Sequence, residues 1–348
     1  MPAATLLTDT VVFETPYGVD RIPLKMACKR YRTTGASERG GLTLIFAHAN
    51  GSHKELWEPT ISALLLPVDQ SPSVKQPAIR EAWAFDAPDH GDSAVANRTV
   101  LENSKDGVPP GEWGTMIHAF VQAHLSSHKI VLVGHSMGSI AIVCAMMCYP
   151  YDQGIPYKAT VIVDPPMHDR ELFNAHRKAR TGQIGAVMKG VSMQRSNFDS
   201  KEAAYQWLSS HMPWKVWDER IRRIHVNEGF RLIDEGNPYG PVAAKCLKQH
   251  EVSKFGHWEV MFGNVDYITK TSATFPYHFI YGAVNDILPR WVQDNAVDPA
   301  LGRKVVSVAR VEGAGHLVVQ QQPDGFTDAL RDILNTVPEA GGRDQSRL

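Results

Sequence analysis

The segment Val133-Gly134-His135-Ser136-Met137-Gly138 constrains this chain more than any other. It fits G-x-S-x-G, and it stands between a β-branched, apolar run at residues 129–134 and a helix-like run at 139–148. A serine at the centre of such a pentapeptide sits on a strand-to-helix turn sharp enough to strain its own backbone. Glycine is needed two residues to either side, because a side chain there would strike the adjoining strand and helix. The turn raises the serine hydroxyl above the carboxyl edge of a sheet. It also aims the unbonded N–H groups of the next helix at whatever the hydroxyl attacks.

The surrounding pattern agrees with that element. Residues 42–48 read as a buried strand, 55–65 as a helix and 83–86 as a short strand before the turn-rich Ala87-Pro88-Asp89-His90-Gly91-Asp92-Ser93. Residues 114–124 read as a helix, 129–134 as a strand, 139–148 as a helix and 159–164 as a strand halted by Pro165-Pro166. Continuous apolar strands separated by helices predict a mostly parallel sheet with helices on both faces. From 167 to 272 the chain carries helical stretches without convincing strands, rich in aromatic residues and Met. Strands resume at 277–281 and 304–311, with a helix at 325–334. The expected organisation is a core at 1–166 and 273–338, a mainly helical lid at 167–272, and a tail at 339–348.

A serine hydroxyl needs a base. His316, in Glu312-Gly313-Ala314-Gly315-His316-Leu317, is the candidate: it follows the last strand, and small residues before it let the loop approach the sheet edge. An acid must stand between Ser136 and His316 in chain order. Asp164 ends the strand after the serine, 28 residues on, close enough to reach the same imidazole. Asp286, in Gly282-Ala283-Val284-Asn285-Asp286, follows the next strand, but the usual Gly-x-x-Asp place is taken by Asn285. Asp164 is the preferred acid and Asp286 the alternative. The oxyanion hole is expected from the backbone N–H of Met137 and one from His48-Ala49-Asn50-Gly51-Ser52, with Asn50 the candidate by position. His48 reads as a loop brace. Asp86, Asp89, His90 and Asp92 resemble a metal cluster by composition, but after a strand they are expected to shape the loop. No metal or organic cofactor is expected.

Composition narrows the partners. The 348 residues carry a formal net charge of −1, which offers no electrostatic attraction to nucleic acid or an anionic membrane. No apolar run approaches the ~18 residues that a membrane span needs. Cys28, Cys144, Cys148 and Cys246 form no C-x-x-C pair and read as reduced thiols. Met1-Pro2-Ala3-Ala4-Thr5 lacks the basic start and apolar stretch of a secretory signal, so a soluble intracellular protein is expected. The chain closes on Ser346-Arg347-Leu348, one step from the Ser-Lys-Leu peroxisomal address. An import receptor is therefore an expected partner, and the peroxisomal matrix the expected location.

The loop HANGSHKELW, the turn FDAPDHGDS, the elbow VGHSMG, the segment YGAVNDILP and the closing GAGHLVVQQQPD resemble successive landmarks of the α/β-hydrolase family. HANG, Asn-Asp after the late strand, VDPP after the middle one and terminal SRL are similar to fungal peroxisomal hydrolases. That group includes toxin-biosynthesis hydrolases and the acyl-coenzyme A hydrolase of mycophenolic acid biosynthesis. In the last of these the acid follows the middle strand, and the resemblance implies the same for Asp164. It also implies ester or thioester hydrolysis, with an acyl-coenzyme A substrate suggested by the tail. A carboxylesterase, lipase or lactonase fits the motifs as well. Ser rather than Asp at the elbow disfavours dehalogenase and epoxide hydrolase chemistry. A non-catalytic ligand-binding relative would have no need of Ser136, His316 and an acid together.

Overall fold

A computed structural model describes residues 5–17, 22–34, 40–66, 75–150 and 154–338. The tail with Ser346, Arg347 and Leu348 lies outside them. The strands, in chain order, are β1 (Leu6–Tyr17), β2 (Ile22–Thr33), β3 (Leu42–Ala47), β4 (Ile79–Phe85), β5 (Lys129–His135), β6 (Ala159–Val163), β7 (Asn197–Phe198), β8 (Phe230–Leu232), β9 (Val242–Ala244), β10 (Tyr277–Gly282) and β11 (Ser307–Val311).

Eight of them form one sheet in the order β1-β2-β4-β3-β5-β6-β10-β11. From β4 to β11 every neighbouring pair is parallel. The inner strands explain why: β3 (LTLIFA), β6 (ATVIV) and β10 (YHFIYG) are buried at every residue. A strand with no polar face belongs between two layers of helices. One apolar cluster fills the first face, where Ile140, Ala141 and Met146 of the helix Met137–Met147 meet Trp113, Met116 and Phe120 of the helix Pro110–Phe120. The other face packs Trp57, Ile61, Phe326 and Leu330 from the helical segments 54–65 and Pro323–Leu334.

The hairpin β1–β2 was not expected from the sequence. Its strands pair antiparallel from Leu6↔Thr33 to Tyr17↔Ile22, and β2 runs antiparallel to β4. Lys25, Lys29, Arg30 and Arg32 break the apolar run of β2, yet Leu24, Met26, Cys28 and Tyr31 are buried against the core. β1 takes the sheet edge with Asp9, Glu14 and Pro16, residues that discourage further pairing.

Between β6 and β10 the chain is largely helical. A second departure from the sequence reading is the small antiparallel sheet β7-β9-β8 within it, whose strands are two or three residues long. This segment builds its own cluster around Phe198, Leu208, Trp214, Trp217 and Phe230. Its last helix, Trp258–Thr271, lies inside the expected lid boundaries but packs with the main core: Asn264 Nδ2 donates to the Ile140 carbonyl at 2.9 Å and Tyr267 Oη to that of Met146 at 3.2 Å. No described helix is long and apolar enough to cross a membrane.

Candidate active site

The G-x-S-x-G turn forms where the pattern placed it. Ser136 caps the helix Met137–Met147 with φ 53° and ψ −112°, a conformation that costs about 1–3 kcal/mol for a residue bearing Cβ. Hydrogen bonds hold it there: the Ser136 N–H donates to the Val163 carbonyl at 2.9 Å, and its own carbonyl accepts from Ser139 N at 3.0 Å. The flanking glycines are dictated by contact. A Cβ on Gly134 would lie 2.5 Å from the Gly138 carbonyl oxygen, and one on Gly138 would lie 2.1 Å from that of Ala47.

His316 Nε2 lies 3.0 Å from Ser136 Oγ. Its Nδ1 lies 3.5 Å from Asp164 Oδ2, and both atoms are buried with no other partner among the described residues. Asp164 directly follows β6 with φ 38° and is pinned on both sides: its N–H donates to the Ile280 carbonyl at 2.9 Å, and Oδ1 accepts from Gln293 Nε2 at 3.1 Å. Burial pushes the Asp164 carboxyl above its usual range, opposed by the His316 ring and the Gln293 amide.

Asp286 faces a different part of the same histidine. Its Oδ1 accepts from the backbone N–H of His316 at 2.8 Å and from that of Ile287 at 2.6 Å. The opposite side of the loop is held by His135, whose Nε2 donates to the His316 carbonyl at 2.8 Å. The backbone of His316 is thus clamped by Asp286 and His135, while its ring spans Ser136 and Asp164. His135 and Gln293 escaped the sequence reading, since nothing in the chain pattern distinguishes a histidine that braces a loop from one that packs.

Met137 and Asn50 border one small cavity with Ser136 and His316. Met137 is the first residue of its helix, so its N–H has no acceptor one turn earlier. The Asn50 side chain is occupied elsewhere, donating to the Glu251 carbonyl at 2.8 Å. His48 braces the neighbouring loops: Nδ1 donates to the Ala49 carbonyl at 2.8 Å and Nε2 accepts from Ala87 N at 3.0 Å.

The acidic turn is neutralised by lysines that the sequence did not single out, the buried Lys54 and Lys254 and also Lys245, whose Nζ donates to Asp92 at 2.5 Å. Asp86 accepts from the Lys54 backbone at 2.8 Å and from its Nζ at 2.9 Å, and Asp92 accepts from the same Nζ at 2.6 Å. Asp89 binds Lys254 Nζ, the Val108 N–H at 2.8 Å and the His90 ring at 2.8 Å. Coulombic attraction to Lys254 and His90 holds the Asp89 carboxyl well below its ordinary range despite its burial.

Ser136 and His316 wall two cavities. One, of about 370 Å³, extends beneath the inserted segment past Leu208, Trp214, Trp217 and Phe230. The other, of about 70 Å³, runs between Met137, Met261, Leu288 and the helix Arg177–Ser192.

Two buried histidines make stability depend on pH. Burial lowers His135 and His225 to about 3, against about 6.5 in an unfolded chain. The folded protein therefore holds fewer protons than the unfolded one between those values. Their contribution is complete above pH 6.5 and is lost as pH falls toward 3, by about 1.4 kcal/mol per histidine per pH unit. Thermal unfolding followed by circular dichroism should show Tm falling by about 5 °C from pH 7.5 to 5. The slope should be shallower in His225→Gln, and a flat profile would contradict the assignment.

A model of the Alpha/beta hydrolase family matches residues 44–329. No functionally curated protein matches the chain by sequence. Among solved structures it is similar to the peroxisomal α/β-hydrolase Lpx1 of Saccharomyces cerevisiae, with 16% identity over 99% of this chain and 92% of that one and a TM-score of 0.68. It is similar to an esterase of M. tuberculosis, with 19% identity over 94% of this chain and 92% of the other and a TM-score of 0.58. The thioesterase domain from the curacin biosynthetic pathway gives 14% identity over 94% and 99%, with a TM-score of 0.60. At these identities the likeness concerns the fold.

Proposed function

Because the chain belongs to the α/β-hydrolase family, we propose that it cleaves an ester or thioester through a covalent acyl-enzyme on Ser136. The observation that carries this reading is the line from Ser136 Oγ to His316 Nε2 at 3.0 Å and from His316 Nδ1 to Asp164 Oδ2 at 3.5 Å. His316 takes the Ser136 proton as Oγ attacks the acyl carbon. The oxyanion forms against the backbone N–H groups of Met137 and Asn50. The bond to the leaving oxygen or sulfur then breaks, and His316 returns the proton to it. Water, deprotonated by the same imidazole, releases the acid and restores Ser136. Asp164 holds the ring tautomer that makes Nε2 the base, and stabilises the imidazolium.

The inserted segment serves as a lid over the larger cavity, and its aromatic lining suits an apolar group. We place the protein in the peroxisomal matrix, delivered by an import receptor through Ser346, Arg347 and Leu348, and acyl-coenzyme A thioesters among its substrates. Likeness of fold to a peroxisomal hydrolase and to a thioesterase domain supports that reading. A fluorescent fusion lacking the last three residues should lose a punctate, peroxisomal pattern; puncta that persist would refute the address.

The chemistry is tested with a fluorophosphonate. Intact-mass measurement should show one adduct on the native protein and none on Ser136→Ala. Labelling of both alike, or of neither, would sink the acyl-enzyme.

A further inference from the structure

Among the described residues, the buried cations are Lys54, Arg180, Lys254, Arg303 and Arg331. Four of them face a carboxylate: Lys54 meets Asp86, Lys254 meets Asp89, Arg303 meets Asp169 and Arg331 meets Asp328. Arg180 is the exception. It is 1% exposed. Its Nη1 donates to the neutral amide of Gln183 at 2.6 Å, and its Nε is buried without a partner. Burial alone acts on its basicity, drawing it down to about 10, so it stays a cation at neutral pH. A buried charge without a counter-ion is costly, and a fold keeps one where something else supplies the opposite charge.

The place of Arg180 says what that is. It borders the smaller cavity, whose walls also include Ser136, Met137 and His316. The titratable walls of that cavity are Arg180, Lys254 and His316; no Asp or Glu lines it among the described residues. Lys254 is already engaged by Asp89 and by the Val108 carbonyl. Gln183 is fixed in turn, donating to the Ile287 carbonyl at 2.5 Å, and so steadies the guanidinium. The result is an oriented guanidinium without a counter-ion, in a pocket that Ser136 also lines and that holds no carboxylate among the described residues. A guanidinium offers paired donors that match a carboxylate.

We propose that Arg180 receives a free carboxylate of the substrate, so that the preferred esters or thioesters carry an acid on the short portion that enters the smaller cavity. The larger portion then occupies the cavity beneath the inserted segment. This rests on the hydrolase reading above, and the test separates the two.

Glutarate and its neutral diamide are titrated calorimetrically into the native protein, Arg180→Met and Arg180→Lys. Glutarate should bind the native protein and the diamide should not. Arg180→Met should weaken glutarate by about 100-fold, and Arg180→Lys by less. In turnover, mono-p-nitrophenyl glutarate should exceed p-nitrophenyl valerate in kcat/KM by about 100-fold, a preference that Arg180→Met abolishes while sparing the valerate. Since that change removes an uncompensated charge, its Tm should equal or exceed that of the native protein. Equal handling of the acid and neutral esters by the native protein, or equal losses for both in Arg180→Met, would overturn the proposal. So would a lowered Tm with glutarate binding intact. Hydrolysis of the valerate that depends on Ser136 but gains nothing from an acid would leave the hydrolase reading standing and remove this one. Glutarate binding through Arg180 with neither ester cleaved would do the reverse.

Discussion

Asp164→Asn is expected to lower kcat on an aryl ester by about 10⁴-fold, whereas Asp286→Asn loses less than about tenfold. Only Asp164 faces the imidazole, and neither Nδ1 nor Oδ2 has another partner among the described residues. An amide there can still bond Gln293 and keep its shape. It no longer stabilises an imidazolium, and its NH₂ face favours the tautomer with the proton on Nε2, where a base cannot act. Asp286 meets the backbone N–H groups of His316 and Ile287, and an asparagine oxygen accepts those two bonds as an aspartate oxygen does. Steady-state kinetics on both variants, with near-ultraviolet circular dichroism as a check on folding, decides the matter. If Asp286→Asn is the inactive one, Asp164 is not the acid.

Gly138→Ala should also lower turnover, for a steric reason. The added Cβ would sit 2.1 Å from the Ala47 carbonyl oxygen, 2.5 Å from its carbon and 2.7 Å from the His48 oxygen. All three are backbone atoms at the end of β3, so no side-chain rotation relieves the contact. The first turn of the helix Met137–Met147 must move away from the loop that follows β3. That motion parts the Met137 N–H from the Asn50 N–H, the two donors proposed for the oxyanion, and displacement on the scale of 1 Å at a reacting centre costs about 100-fold in rate. Overpacking itself costs about 1–3 kcal/mol. Gly138→Ala should therefore show both a lowered Tm and a kcat reduced about 100-fold. Native turnover with native Tm would mean that the helix and loop are not in the contact described.

Part of this arrangement was readable from the chain, and the reasons for the rest are physical. The inner strands are continuously apolar, and the serine turn has a local steric signature. Those features survive in a one-dimensional pattern. The hairpin β1–β2 does not, because its lysines and arginines lie at a sheet margin where one face meets water. β7, β8 and β9 are too short for any periodicity. Nothing in the chain pattern marks Lys54, Lys254 or Arg180 as buried; what buries them is a carboxylate or a cavity contributed by a distant element. The acidic turn resembles a metal cluster by composition alone for the complementary reason, its counter-charges being out of view, and the expectation that it shapes the loop rests on its place after a strand. At Asp286 the spacing was informative: one residue past the usual place, the carboxylate reaches the His316 backbone rather than its ring.

Ser136 and Asp164 follow adjacent strands, β5 and β6, whose pairing runs to His135↔Val163. With Asp164 as the acid, the span between nucleophile and acid is a property of the ladder, and changes in loop length leave it alone. The turn after β10 is then released from supplying chemistry. It carries Ile287 and Leu288 into the smaller cavity and Asp286 to the His316 backbone. A protein built this way can be retuned for new substrates at that turn while the reacting groups stay in register. It is the first segment to vary in any effort to redirect selectivity.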